Sequence, residues 1–272
     1  MNKTFKKRSL LWLGFALCSL ASALLQTIAV LTAYEASANY FRNGSPLPTL
    51  AAVFAIFGTV LGTAASFLTS QEELAESPFG TRPIHAPATL GFLAVAIVLP
   101  LSTHQTTLGN ISAIFSAIAI LYSVSFLFIK RNKKNDIIVF LGFAAILTCI
   151  LITAYYYFDH AVEMNAPLKV STQTGLLFAL LYYTGELRYL IGTARPRVFL
   201  MLASWAISIG SLSALSVPVA FWTGKIDRAD YAVGGFLVFC IVLTALARMI
   251  TLLRPRKTEA TDNIDENGEE HS

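Results

Sequence analysis

The feature that most constrains this chain is a recurrence. From Leu10 to Leu253, apolar stretches of about 20 residues follow one another with only short polar breaks. A helix of that length crosses a hydrocarbon core of roughly 30 Å. In lipid every backbone N–H and C=O must be satisfied within the segment, so such stretches fold as helices. Charged residues make up only 13% of the chain, against roughly a quarter in soluble domains. The reading is an all-α membrane protein with eight transmembrane helices, at about residues 10–33, 48–69, 88–101, 109–129, 137–158, 170–194, 198–222 and 231–253. Paired in order, they make four helical hairpins. Residues 1–257 form this polytopic transmembrane domain, and the acidic, apolar-poor stretch 258–272 reads as a disordered cytoplasmic tail.

The basic start, with Lys3, Lys6, Lys7 and Arg8, looks at first like a signal peptide, but the apolar run behind it is long and lacks a small-residue cleavage site. It reads as a retained first span. Orientation follows from Lys/Arg asymmetry. With the N-terminus cytoplasmic, 16 of the 20 Lys and Arg residues fall on the inner side, and only Arg42, Lys169, Lys225 and Arg228 on the outer. Both termini are therefore expected inside a plasma membrane, of bacterial type by its short loops. The net charge of +4 is explained by topology and by anionic lipid headgroups, without any nucleic-acid partner. Tyr34, Tyr40, Phe41, Tyr155, Tyr156, Tyr157, Trp222 and Tyr231 cluster at the expected outer boundary, and Trp12 at the inner one. The connection 70–87, with Glu72, Glu73, Glu76, Arg82 and three prolines, reads as solvent-facing.

One acidic side chain is expected within a span, Glu186 in the stretch LLYYTGELRYLIGTARPR at 180–197. It lies roughly 13 Å along the helix from Arg195. An ionised carboxylate there is costly unless paired or wetted. Arg188, two residues on, points to a different face, whereas Tyr182, Tyr183 and Tyr189 share the face of Glu186. Arg248 on the last helix is the best cation from elsewhere. Glu186, Tyr182, Tyr183, Arg248 and Arg188 are thus the candidates for a substrate or ion pathway; the competing reading is a structural ion pair joining the sixth and eighth helices.

Small residues mark packing surfaces. Gly58, Gly62 and Ser66 line one stripe of the second helix, and Ser204 and Ser208 line another on the seventh. Pro218 should bend the seventh helix and free a carbonyl. Gln26 reads as an interhelical hydrogen bond. Cys18, Cys149 and Cys240 fall on separate apolar runs and read as packing residues. Asp159, His160 and Glu163 lie close together, with His104 in another outer turn, but their spacing matches no metal-ligand motif. No span contains a histidine, and the chain has no HExxH, nucleophile elbow or P-loop. His85 and His271 have no nucleophile to serve. No cofactor is expected, and an enzyme ranks last.

A weak internal repeat accompanies this pattern. Gly175, Thr184 and Arg188 match Gly235, Thr244 and Arg248 at an offset of 60 residues. Inward-basic hairpins rich in Leu, Gly and Phe also produce such matches without duplication. The leading functional reading is a small-molecule or ion permease with a polar site near Glu186. Close behind it stands a non-catalytic membrane subunit or sensor-like module, assembling with a membrane-protein partner or a second copy of itself.

Overall fold

A computed structural model describes residues 3–71, 74, 75, 77–79, 82–102, 106–128, 136–193 and 195–254. Among them are nine α-helices: α1 Lys3–Ala33, α2 Leu47–Leu68, α3 Ala86–Leu101, α4 Thr107–Phe128, α5 Asp136–Phe158, α6 Pro167–Ile191, α7 Pro196–Ala214, α8 Ser216–Trp222 and α9 Ala229–Leu253. A small antiparallel ribbon, β1 Tyr34–Glu35 and β2 Tyr40–Phe41, joins α1 to α2, with Tyr34 opposite Phe41. A 3-10 turn, Arg82–His85, leads into α3. Proline occupies the first or second position of α2, α3, α6 and α7, where the missing N–H costs nothing. Gly192 ends α6 at φ +82°, a conformation that glycine alone adopts cheaply.

Six segments are long and apolar enough to cross a membrane: Lys7–Ala33, Leu47–Leu68, Thr107–Phe126, Asp136–Phe158, Pro196–Trp222 and Ala229–Leu253. α3 is apolar but has only 16 residues. α6 has 25 residues but carries Lys169, Glu186 and Arg188. The expected seventh helix is divided in two. The ring of Pro218 meets the carbonyl four residues back, which is that of Ala214, and α7 ends at Ala214.

The helices are inside-out by the standards of a water-soluble protein. On α1 the exposed large apolar residues are Leu10, Leu13, Leu17, Leu20, Leu24, Ile28 and Leu31, whereas Ser19, Ser22 and Gln26 are buried. On α2 the exposed side carries Ile56, Phe57, Val60 and Phe67, and the buried side Ala51, Ala55, Gly58, Gly62, Ala65 and Ser66. Apolar surface on this scale is stable only against lipid, and small or polar residues turned inward let backbones approach. This is the surface of a membrane-embedded bundle.

Within it α3, α4, α5, α6, α7 and α9 pack each on the next, and α9 closes the circle on α3 while also touching α6. α1 and α2 pack on each other and on α7 from outside this ring. The α2–α3 connection corrects an expectation, for it does not simply face solvent. Leu74 is buried, the Ala75 N–H donates to Leu252 O at 3.0 Å, and His85 is 2% exposed. The last carbonyls of α9 have no donors within their helix, and the apolar residues between the charges of this connection fold over that end of the bundle. The basic foot 130–134, His104, His271, Arg256, Lys257 and the tail 258–272 lie outside the described residues.

Candidate functional site

Helical geometry sets the centre of the site. On α6, Tyr182 lies one turn before Glu186, so both side chains leave the helix on one face, while Arg188 leaves on another and is exposed. Arg248 comes from α9 and pairs directly with Glu186, its Nη1 at Glu186 Oε1. Both side chains are sealed, Glu186 at 0% and Arg248 at 1% exposure. Tyr182 OH donates to Glu186 Oε1 at 3.4 Å, and Tyr122 OH from α4 donates to Oε2 at 3.1 Å. The Arg248 guanidinium lies 5.1 Å from the Phe79 ring centroid and 5.4 Å from that of Phe126. Its Nη2 meets His85 Nδ1 at 2.7 Å. Phe126 stacks on both Phe79 and His85, at 4.8 and 4.6 Å between centroids.

Tyr183, though on the tyrosine side of α6, does not reach the carboxylate. Its hydroxyl is buried without a hydrogen-bond partner, as is that of Tyr189. The arrangement around Glu186 is therefore a neutral pair with a donor on each carboxylate oxygen and aromatic faces around the cation. It joins α4, α6, α9 and the turn before α3.

His85 has a defined proton state here. A guanidinium only donates hydrogen bonds, so Nδ1 accepts and the ring is neutral, with its proton on Nε2. Burial, and then the charge of Arg248, lower the His85 pKa from 6.5 to about 3. Between these values the unfolded chain binds a proton that the folded chain refuses, so stability falls as pH drops below 6.5 and levels off near 3. Each pH unit in this window costs up to about 1.4 kcal/mol. Thermal unfolding measured from about pH 7 to about pH 4 should show this slope. His85→Gln, which keeps an acceptor for Arg248, should flatten it, and an unaltered slope in that variant would place its origin elsewhere.

A second polar cluster lies at the opposite ends of α6 and α9. Arg228, at the N-cap of α9, bridges Asp159 Oδ2 at 3.0 Å and Asp230 Oδ2 at 2.5 Å. Tyr155 OH donates to Asp230 Oδ2 at 2.6 Å. Lys169 is buried, with its Nζ donating to the carbonyls of Asp159 and Val162 at 2.7 and 2.8 Å. Asp159, whose spacing with His160 and Glu163 matched no ligand motif, is thus held in an ion pair, because the turn after α5 brings it against Arg228. His160 and Glu163 beside it are exposed. No group of three His, Cys, Asp or Glu among the described residues is placed to hold a metal. The aromatics expected at this boundary divide: Tyr157 and Trp222 are exposed, whereas Tyr155, Tyr156 and Tyr231 are buried. Tyr156 OH donates to Tyr231 O at 2.7 Å and accepts from the Gly234 N–H at 2.9 Å.

The two small-residue stripes meet each other. A Cβ on Gly58 would stand 2.7 Å from Ser208 Oγ, and one on Gly62 would stand 2.6 Å from Ser204 Cβ. Ser208 Oγ is also 2.9 Å from Ser19 Oγ on α1. Ser66 turns back onto Gly62 O at 2.7 Å, and Trp205 Nε1 donates to Thr63 Oγ1 at 2.8 Å across the seam. Two of the three pairs matched in the repeat sit in unlike surroundings: Thr184 and Arg188 are exposed, Thr244 and Arg248 buried, whereas Gly175 and Gly235 are both buried.

Sequence reasoning missed Tyr122, His85, Phe79 and Phe126. Tyr122 carried a signal, since a phenol in an apolar span needs a partner for its hydroxyl. The other three could be found only from the path of the α2–α3 connection. Comparison with protein-family models, with curated proteins and with solved structures finds no match, so the geometry alone carries the functional reading.

Proposed function

We propose that this chain is an eight-span integral membrane protein acting as a non-catalytic membrane subunit or sensor-like module that assembles with a partner. The eight spans are α1, α2, α3, α4, α5, α6, the divided α7–α8, and α9. They form four hairpins with both termini cytoplasmic in a plasma membrane, an orientation supported by the Lys/Arg asymmetry. The basic inner ends then rest on anionic headgroups. The single observation carrying the functional reading is the sealed Glu186–Arg248 pair. A carboxylate that exchanges ions, protons or substrate needs a free coordinating position and a wet approach. Here both oxygens have donors, and the surrounding side chains of Tyr122, Tyr182 and Arg248 are at most 1% exposed. Such a pair fixes helices, and neither carboxylate oxygen is left without a donor.

The permease reading keeps specific support from the interruption of the α7–α8 span at Leu215 and from the unpartnered Tyr183 hydroxyl. Broken helices at membrane depth are a feature of transporter sites. Reconstitution separates the two. Full-length protein in sealed liposomes should show no proton or ion flux above that of protein-free vesicles. A flux that Glu186→Gln abolishes, with thermal stability retained, would sink the subunit reading and restore the permease.

A further inference from the structure

The residues that dry the Glu186–Arg248 pair on one side do not come from a spanning helix. They come from the α2–α3 connection. Its path begins at Thr69, whose carbonyl accepts from Arg197 Nε at 2.8 Å at the start of α7. Leu74 is then buried, and the Ala75 N–H takes the Leu252 carbonyl at the end of α9. Phe79 lies against Phe126 and over Arg248, and its ring stands edge-to-face with that of Tyr189 on α6, 6.3 Å between centroids. His85 closes the remaining side of the guanidinium. One short segment thus touches the ends of α2, α7 and α9, the cation of the pair, and the last turns of α6.

Its attachment differs in kind from that of the helices around it. Residues 74, 75 and 77–79 lie outside any helix, so no i→i−4 ladder holds them. Segments with few backbone hydrogen bonds open at lower free energy than the helices they touch. The consequence is electrostatic. A charge pair held in a dry, low-dielectric site attracts strongly, and the same pair wetted on one side attracts several-fold less. The position of Phe79 and His85 therefore sets how firmly α6 and α9 are joined.

We propose that the described residues of the α2–α3 connection that carry these contacts, Leu74, Ala75, Phe79 and His85, form a displaceable strap. Seated, it keeps the Glu186–Arg248 lock dry; drawn off from the aqueous side, it wets the lock and loosens α6 from α9. The proposal rests on reading that pair as a lock and supplies the route by which a partner at this end of the bundle would act on the membrane interior. Guanidinium release requires no covalent step, only loss of the Phe79 face and the His85 acceptor.

The test uses the full chain in detergent, with Cys18, Cys149 and Cys240 replaced by alanine and one reporter thiol introduced by Tyr189→Cys. Adding Phe79→Ala should raise labelling by a water-soluble maleimide at least about tenfold, because local opening sets the rate. A reporter at Ala179→Cys, in the middle of α6, should stay unlabelled with and without Phe79→Ala. An unchanged Tyr189→Cys rate overturns the strap while leaving the lock standing, since Glu186 and Arg248 are untouched. Labelling of Ala179→Cys in the Phe79→Ala background also overturns it, because strap and bundle then open as one unit. Hydrogen exchange on the native chain gives an independent reading that needs no variant. The Ala75 amide should exchange at least about a hundredfold faster than that of Ala245 in α9; equal protection of the two contradicts the proposal.

Discussion

Glu186→Gln should lower the stability of the purified protein by about 3–5 kcal/mol, because removing one partner of a buried pair strands the other charge in a low-dielectric site. The stranded group is Arg248, whose remaining acceptor is His85 Nδ1 and whose remaining company is two phenyl faces. Arg248→Gln should cost a similar amount, leaving a carboxylate with only the Tyr122 and Tyr182 hydroxyls. In a thermal-shift measurement each appears as a fall of roughly 10 °C, using the scaling of midpoint with free energy for chains of this size. The double variant Glu186→Leu with Arg248→Met is the decisive arm. It removes both charges and keeps most of the volume, and such replacements are commonly neutral or stabilising. Recovery of most of the lost stability identifies a lock whose cost lies in unpaired charge. Single variants as stable as the native protein would contradict the pairing altogether.

The sequence revealed this pair better than it revealed its setting. Glu186 and Arg248 are charges in otherwise apolar helices, and cost alone says that such charges find each other. Helical spacing put Tyr182 beside the carboxylate and Arg188 away from it, and the structure has both in those positions. The all-helical class was equally legible, since length and hydropathy dictate it. Less legible was everything that depends on the route of a connection. His85 read as an idle loop histidine because nothing local ties it to a residue 163 positions later, yet it meets the Arg248 guanidinium. Asp159 and Arg228 each read as surface charges, and only the approach of the α5–α6 turn to the start of α9 makes them a pair. The division at Ala214 was half visible: Pro218 announced a bend, and the clash four residues earlier fixes where the hydrogen-bond ladder stops.

These contacts give α9 an organising position. Asp230 near its start is held by Arg228 and Tyr155, and Arg248 near its end is held by Glu186 and His85. The 18-residue offset between them spans about 27 Å of helix, so polar clamps act near both ends of α9 while the stretch between packs on α3, α7 and α6. Lipid supplies no hydrophobic force to press α9 inward, so electrostatic clamps and close packing must do so. The Tyr156 hydroxyl, lodged against the Gly234 N–H, shows the packing part at α5. Side chain fits backbone there because the glycine has no Cβ to occupy the space.

The same reasoning predicts a large effect at the seam between α2 and α7. Gly62→Leu should cost about 2–4 kcal/mol, the range for overpacking a close contact that must then separate. A Cβ at Gly62 already stands 2.6 Å from Ser204 Cβ and 3.1 Å from Phe15, so a leucine cannot enter without moving α2 outward. That movement also draws Gly58 from Ser208 and breaks the Trp205–Thr63 hydrogen bond. Gly62→Ala should do the same by a smaller amount, about 1–2 kcal/mol. Since the obstruction is Ser204 itself, Ser204→Gly should rescue Gly62→Ala, and the coupling between the two changes should be at least about 0.5 kcal/mol. Val60→Leu, on the lipid-facing side of the same helix at 59% exposure, should be neutral. Thermal stability of Gly62→Leu, Gly62→Ala, Ser204→Gly, their Gly62→Ala/Ser204→Gly combination and Val60→Leu in one detergent decides it. A neutral Gly62→Leu, or the absence of rescue by Ser204→Gly, would mean that close backbone approach does not hold α2 to the bundle. In that case the Trp205–Thr63 hydrogen bond between α7 and α2 would have to carry the attachment.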